Sequence, residues 1–129
     1  MTILRHLKQL LAFMPGSMFI PLSSLRIERD DALGVELNAD GWHIFFDKAR
    51  RLVFFSGRPK FSFASVDNVQ LEHFTNSRKF EWWVLSVGFL DGRKLKLGRS
   101  IDDVDVSIAA ASVAKVLDKA VQTYKSSGL

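Results

Sequence analysis

Apolar residues at the start of the chain recur with the spacing of an amphipathic helix. At about 100° per residue the large apolar side chains fall on one face, with Arg5, Lys8 and Gln9 on the other. Pro15 and Gly16 then end the predicted helix. The apolar stripe consists of Ile3, Leu4, Leu7, Leu10, Leu11 and Met14. We therefore predict an N-terminal amphipathic helix and an apolar connection, which together occupy residues 1–32.

From Leu33 onward the pattern changes to that of short β-strands separated by turns. The segments GVEL, WHIFF, RLVFF, KFSF and VQLEHF are each short and rich in apolar residues. Polar stretches with glycine or proline, such as residues 38–41 and 56–59, separate them. A long segment at 80–90 and KLKL at 94–97 complete the series. We predict about seven antiparallel strands that close into a partly open barrel or sandwich.

A second helical pattern follows the strands. Ser100 or Asp102 is suited to cap this helix, and further acidic residues lie near its positive end. Its apolar stripe consists of Val106, Ala109, Ala110, Val113, Val116, Leu117, Ala120, Val121 and Tyr124. The sequence therefore predicts an α+β fold in which a long C-terminal helix caps the strands, with residues 33–125 as one globular unit.

The hairpin around Leu90-Asp91-Gly92 allows two registers. A two-residue Asp-Gly turn would mix apolar and charged side chains on both faces of the sheet. A three-residue loop with Gly92 in the left-handed conformation would instead place Val87 opposite Leu95 and Leu85 opposite Leu97. One face would then consist of Trp83, Leu85, Val87, Phe89, Leu95 and Leu97. Because a slip of one residue moves every side chain to the other face, we predict the three-residue loop.

Composition narrows the functional classes. The chain has 129 residues, a net charge of +4 and no cysteine, so disulfides, thiol catalysis and thiolate metal sites are excluded. No run of about 18 apolar residues is present, and we predict that the N-terminus is retained rather than removed as a signal peptide. The expected location is the cytoplasm, with peripheral membrane association as the alternative.

Candidate catalytic residues are few. His6, His43 and His73 do not have the spacing of metal ligands. His43 and His73 lie in strands that could adjoin, and a small hydrolase would need one of them to face a carboxylate in a pocket. The acidic residues that begin with Asp102 are explained by the helix dipole. We predict no catalytic residue, no metal site and no cofactor.

Basic residues concentrate in the predicted turns, where they could contact an anion or a lipid headgroup. The candidates are Lys48, Arg50, Arg51, Arg58, Lys60, Arg78 and Lys79. A further basic group consists of Arg93, Lys94, Lys96 and Arg99. Consecutive hairpin turns lie at opposite ends of a sheet, so the cluster of Lys48, Arg50 and Arg51 is not expected to meet the cluster of Arg58 and Lys60. Nucleic-acid binding is not favoured, because most of the phenylalanines alternate with polar residues as in a core.

Two segments carry a family resemblance. FSFASVDNVQLEH and WWVLSVGFLDGRKLKLG, followed by a long amphipathic helix, resemble bacterial pleckstrin-homology-like (PH-like) domains. ADGWHIFFDKARRLVFF is similar to the first hairpins of that family, with Asp47 at the turn. The resemblance extends over residues 33–122 and implies a seven-stranded, partly open barrel closed by the C-terminal helix. It does not imply one activity, and phosphoinositide-binding motifs are not recognisable.

These patterns predict a non-enzymatic binding module whose partner is another protein or a second copy of the chain. The predicted interaction patch consists of Phe80, Trp82 and Val84 on one strand face and Leu4, Leu7 and Leu11 on the N-terminal helix. Whether that helix docks on the domain, on a second copy or on a membrane is left open. The alternative function is peripheral binding to anionic lipid through the basic turns and the N-terminal helix. No small-molecule substrate is indicated.

Overall fold

The structure is a computed structural model, and it describes residues 25–39 and 41–127. These residues form nine strands, one α-helix and a short 3-10 turn. The strands are β1 (Leu25–Asp30), β2 (Gly34–Ala39), β3 (Trp42–Asp47), β4 (Leu52–Phe55), β5 (Arg58–Ser62), β6 (Val66–Thr75), β7 (Glu81–Phe89), β8 (Lys94–Ser100) and β9 (Val121–Ser127). The helix α1 is Asp103–Leu117, and the 3-10 turn is Phe63–Ser65. The predicted α+β class with a C-terminal helix is confirmed, and the predicted N-terminal helix lies outside the described residues.

Two sheets enclose the core. The first sheet has the order β1-β2-β3-β4-β5 with antiparallel neighbours, and the second has the order β8-β7-β6-β9. Apolar side chains on the facing sides of the sheets are buried because strand residues alternate between faces. The largest fully buried residues include Phe46, Phe63, Leu25, Leu37, Ile44, Leu85 and Leu117. Helix α1 packs against both sheets, chiefly against β1 and β6, and closes one side of the core.

The C-terminal helix is shorter than predicted. Asp102 is the N-cap, and its carboxylate accepts hydrogen bonds from the backbone N–H groups of Val104 and Asp105. The helix ends at Leu117 because Asp118 adopts a left-handed conformation with φ 56° and ψ 48°. The predicted continuation to Tyr124 is therefore wrong. The residues beyond form β9, which pairs in parallel with β6.

Strands β1 and β9 account for the difference between the predicted seven strands and the nine observed. The segment LRIERD of β1 alternates in burial, with Leu25 fully buried and Arg26 exposed. Its charged residues concealed that alternation in the sequence. The seven predicted strands are all present as β2 to β8.

The hairpin between β7 and β8 has the predicted three-residue loop. The Phe89 N–H donates to the Arg93 carbonyl at 2.8 Å, and Gly92 has a φ of 89°. Val87 pairs with Leu95 as predicted. A register shift follows, so that Leu85 pairs with Gly98 rather than with Leu97. The predicted apolar face nevertheless packs on the core. Its buried residues are Leu85, Val87 and Leu97, and its partly buried residues are Trp83, Phe89 and Leu95.

Candidate ligand-binding groove

Two adjoining cavities lie between β5 and β8. Their volumes are about 690 and 620 Å3, and both are lined by Lys60 and Leu95. We call them together the β5–β8 groove. Its walls are Trp42, Phe55, Ser56, Arg58, Pro59, Lys60, Phe61, Ser62, Ser65, Phe89, Leu90, Asp91, Arg93, Lys94, Leu95, Lys96 and Leu97. Each volume lies within the range of about 300–1,000 Å3 that is typical of ligand pockets.

The groove exists because β5 and β8 are the edge strands of different sheets. Residues 58–60 of β5 share one cavity with residues 95–97 of β8, and residues 60–62 share the other with residues 93–95. The two strands therefore run in opposite directions along the groove. At the far end of β8 the sheets close together, because Gly98 lies against Leu25 and Ala39.

The floor of the groove is aromatic and aliphatic. The ring of Phe61 contacts the ring of Phe89 edge to face at a centroid distance of 5.1 Å. It contacts the ring of Phe55 in the same geometry at 6.5 Å. Leu95 is partly buried beside them. Trp42, which is 58% exposed, stands at the mouth. These side chains give a ligand apolar surface to bury.

The rim of the groove is strongly basic. It carries five cations, Arg58, Lys60, Arg93, Lys94 and Lys96, and one carboxylate, Asp91. Within the described part of the chain, Arg58, Lys60 and Lys96 have no carboxylate partner, whereas Arg93 binds Asp91 at 2.7 Å. Lys94 Nζ lies 3.6 Å from Glu72 Oε1. The groove therefore presents unneutralised positive charge around an apolar floor, which favours an anionic ligand with apolar parts.

Asp91 has an altered acidity. The backbone N–H of Arg93 donates to its carboxylate, and the Arg93 guanidinium does so as well. Both hydrogen bonds stabilise the ionised form and lower the pKa of Asp91 below its ordinary value, the backbone bond contributing most. At neutral pH the Asp91 carboxylate is thus ionised, and its hydrogen-bond partner is Arg93.

The predicted anion contacts are distributed over three places. Arg58 and Lys60 lie in the groove, and the structure brings them together with Lys94 and Lys96. Lys48 and Arg51 line a separate cavity of about 310 Å3 beside Lys115 of α1. Arg50 pairs with Asp47 at 3.7 Å, while Arg78 and Lys79 are exposed in the turn between β6 and β7.

The predicted interaction patch is only partly described. Phe80 is 43% exposed and Val84 is 5% exposed. Trp82 is half-buried and stacks on Phe74 with a centroid distance of 5.5 Å and an interplanar angle of 10°. The three leucines of the N-terminal helix, Leu4, Leu7 and Leu11, lie outside the described residues.

His43 and His73 lie in strands of different sheets, so the possible adjacency of their strands is not realised. His43 is in β3 of the first sheet, where Nε2 lies 3.5 Å from Glu36 Oε1. His73 is in β6 of the second sheet, stacks on Trp83 at 4.6 Å and has Nε2 3.2 Å from Glu81 Oε1. Neither histidine lines the cavities described above. In residues 25–39 and 41–127 no three His, Asp or Glu side chains are grouped to hold a metal ion.

Sequence reasoning missed the apolar walls of the groove. The sequence pattern predicts core positions for most of the phenylalanines and for the hairpin face that includes Phe89 and Leu95, and it predicts no role for Trp42. The available signal was the alternation of polar with apolar residues in KFSF, which overlaps β5, and in KLKL of β8. That alternation indicates which side chains face inward, but it does not indicate that the two strands face each other.

Comparison with protein families, curated proteins and solved structures gives no significant match. Within the described ranges, no helix is both long enough and apolar enough to cross a membrane. Function is therefore inferred from the shape and charge of the groove.

Proposed function

We propose that this chain is a non-enzymatic, PH-like binding module that takes an acidic segment of a protein partner in the β5–β8 groove. The observation that carries the proposal is the rim of five cations and one carboxylate around an apolar floor. An acidic segment with apolar residues would match both features, since carboxylates form charge-assisted hydrogen bonds with Lys and Arg and apolar side chains gain from burial.

The PH-like assignment is supported by the order of the elements. Strands β2 to β8 followed by α1 match the expected seven strands and C-terminal helix. The helix packs chiefly against β1 and β6, and none of its residues lines the two cavities between β5 and β8. The fold departs from the resemblance in two strands, since β1 is added before it and β9 after it.

A protein partner is favoured over a lipid headgroup by the arrangement of the cations. They are spread along both strands, from Arg58 to Lys60 on one side and from Arg93 to Lys96 on the other. A headgroup site would be expected to gather its cations at one end of the barrel. Anionic lipid remains the alternative, because exposed apolar residues at the rim, Trp42 and Leu90, could enter a bilayer surface.

A non-enzymatic role is favoured by the placement of the titratable groups. Each described histidine lies beside a glutamate, but neither pair opens on the groove. A general acid or base must reach a bound substrate, and these side chains do not line the cavities where one would bind.

The proposal is tested with a labelled short peptide of leucine and glutamate and two charge-reversal variants. Lys60→Glu/Lys96→Glu changes the groove, and Arg78→Glu/Lys79→Glu makes the same charge change in the turn between β6 and β7. We expect fluorescence anisotropy at physiological salt to show about tenfold weaker binding for the groove variant and less than about threefold for the turn variant. An equal loss in both variants would mean that net charge alone attracts the peptide, and the groove would not be the site.

Co-sedimentation with phosphatidylcholine vesicles, with and without phosphatidylserine, distinguishes the lipid alternative. Sedimentation that needs phosphatidylserine and the groove lysines, together with failure to bind the peptide, would replace the protein partner by a membrane surface. Absence of sedimentation at low salt, where electrostatic attraction is strongest, would eliminate the lipid function.

A further inference from the structure

The edge of β8 that faces the groove has no hydrogen-bonded neighbour among the described strands. We infer, on the basis of the proposed function, that the bound segment is extended and pairs with this edge as an added strand, with apolar and acidic residues in alternation. Strand addition to an exposed sheet edge is a recurring mode of peptide recognition, in which backbone hydrogen bonds give affinity and alternate side chains give specificity.

The register of β8 identifies the backbone groups that would pair. In an antiparallel ladder, hydrogen-bonded pairs alternate with pairs whose N–H and C=O groups point away from each other. The Phe89 N–H donates to the Arg93 carbonyl, so this carbonyl and, two residues on, both backbone groups of Leu95 point toward β7. Lys94 and Lys96 therefore direct theirs toward the groove. A ligand strand would satisfy these four groups, which have no backbone partner among the described strands.

The opposite wall is less suited to accept the ligand backbone. Pro59 lies in the middle of the cavity-lining part of β5 and has no N–H to donate. The pairing of β5 with β4 also shifts register between Val53 and Phe54. We therefore assign the backbone contacts to β8 and leave β5 to contribute its side chains, the ring of Phe61 and the charges of Arg58 and Lys60.

The side chains of β8 specify the ligand pattern. Leu95 and Leu97 point to the inner face, where they line the two cavities, and Lys94 and Lys96 occupy the other face. Residues of an added strand follow the same alternation. Its inward side chains, about 7 Å apart, would enter the two cavities, and its outward side chains would lie beside the lysine ammonium groups. The preferred sequence is thus apolar–acidic–apolar–acidic.

The test compares two short peptides of identical composition, one alternating leucine with glutamate and one with the leucines and glutamates in separate blocks. We expect the alternating peptide to bind about tenfold more tightly. On its addition, amide hydrogen exchange at Lys94 and Lys96 should slow at least about tenfold, whereas the Leu95 amide, already paired with β7, should change little. N-methylation of the ligand residues whose N–H faces β8 should abolish binding, and N-methylation at the intervening residues should not.

A charge exchange provides a second measurement. Lys96→Glu should reduce the preference for the leucine–glutamate peptide over an alternating leucine–lysine peptide by about tenfold, because the outward neighbour of residue 96 would then need the opposite charge while the other four cations of the groove remain. Equal affinity for the alternating and block peptides, with unchanged exchange at Lys94 and Lys96, would overturn strand addition while leaving the groove as a binding site. Failure of both peptides to bind would instead overturn the proposed function itself.

Discussion

Gly98 is the residue at which β8 closes on the first sheet, and its replacement measures how closely the sheets are packed there. A Cβ at this residue would lie 2.8 Å from the Ala39 Cβ and 3.0 Å from the Leu25 Cδ1. Carbon atoms are most favourably separated by about 3.5–4.0 Å, so one strand would have to move by up to about 1 Å. The leucine methyl can rotate away, but the alanine methyl is fixed to the backbone of β2. We expect Gly98→Ala to lower the free energy of unfolding by about 1–3 kcal/mol.

The cause is tested by removing the opposing methyl group. Ala39→Gly alone should cost about 1–2 kcal/mol, because it loses a buried methyl and adds backbone freedom to the unfolded chain. Combined with Gly98→Ala, this change should relieve the overlap. The double variant should then lose less free energy of unfolding than the sum of the two single losses, by about 1 kcal/mol or more. Urea unfolding of the four proteins gives these values. Additivity within about 0.5 kcal/mol would refute the steric explanation.

Gly88→Ala is the matched control, because its Cβ would be equally close to other atoms. The neighbours are the Asn68 Oδ1 and the Gln70 Nε2, both at 2.7 Å. These atoms end flexible side chains that can rotate toward solvent, so we expect a cost below about 1 kcal/mol. A loss as large as that of Gly98→Ala would show that distance, and not the rigidity of the neighbour, decides the cost.

Three further predictions concern the helix ends and the hairpin. Asp102→Ala removes the N-cap of α1 and should lower the free energy of unfolding by about 0.5–2 kcal/mol in urea titrations. Asp118→Gly should raise it by about 0.5–1 kcal/mol, because glycine adopts the left-handed conformation at this residue without a Cβ penalty. An NMR titration should find the pKa of Asp91 below its ordinary value, and this group's contribution to stability, present at neutral pH, should be lost as the pH falls through that lowered pKa. Arg93→Gln should raise that pKa only in part, since the backbone N–H of residue 93 remains.

The register of the hairpin was predictable because burial imposes it locally. Only the three-residue loop places Leu95 and Leu97 on the same face as Leu85, Val87 and Phe89, and the structure has that loop. The shift that pairs Leu85 with Gly98 was not predictable from the alternation. It occurs at Gly98, where β8 approaches Leu25 and Ala39, and these residues lie far away in sequence.

The end of α1 shows where a periodic pattern gives the wrong answer. Apolar residues continue at helical spacing to Tyr124, and neither glycine nor proline marks a stop. The helix nevertheless ends at Leu117, and Val121 pairs with Val69 of β6. A free edge of a sheet can accept a strand from any part of the chain, so the partner decides the conformation of such a segment. Its β-branched and aromatic residues were the local evidence for a strand.

The groove illustrates the same dependence on non-local pairing. The alternation in KLKL was sufficient to place Leu95 and Leu97 inward and Lys94 and Lys96 outward, as the structure has them. It could not show that β8 would be an edge strand or that the basic residues of β5 would lie opposite. Because the register directs the backbone of both lysines toward the groove and Lys96 has no carboxylate partner in the described part of the chain, one strand supplies both the hydrogen bonds and the charge that would select a ligand. Substitution of Lys96 alters only the charge, whereas N-methylation of the ligand alters only the hydrogen bonds, so the two contributions can be measured separately.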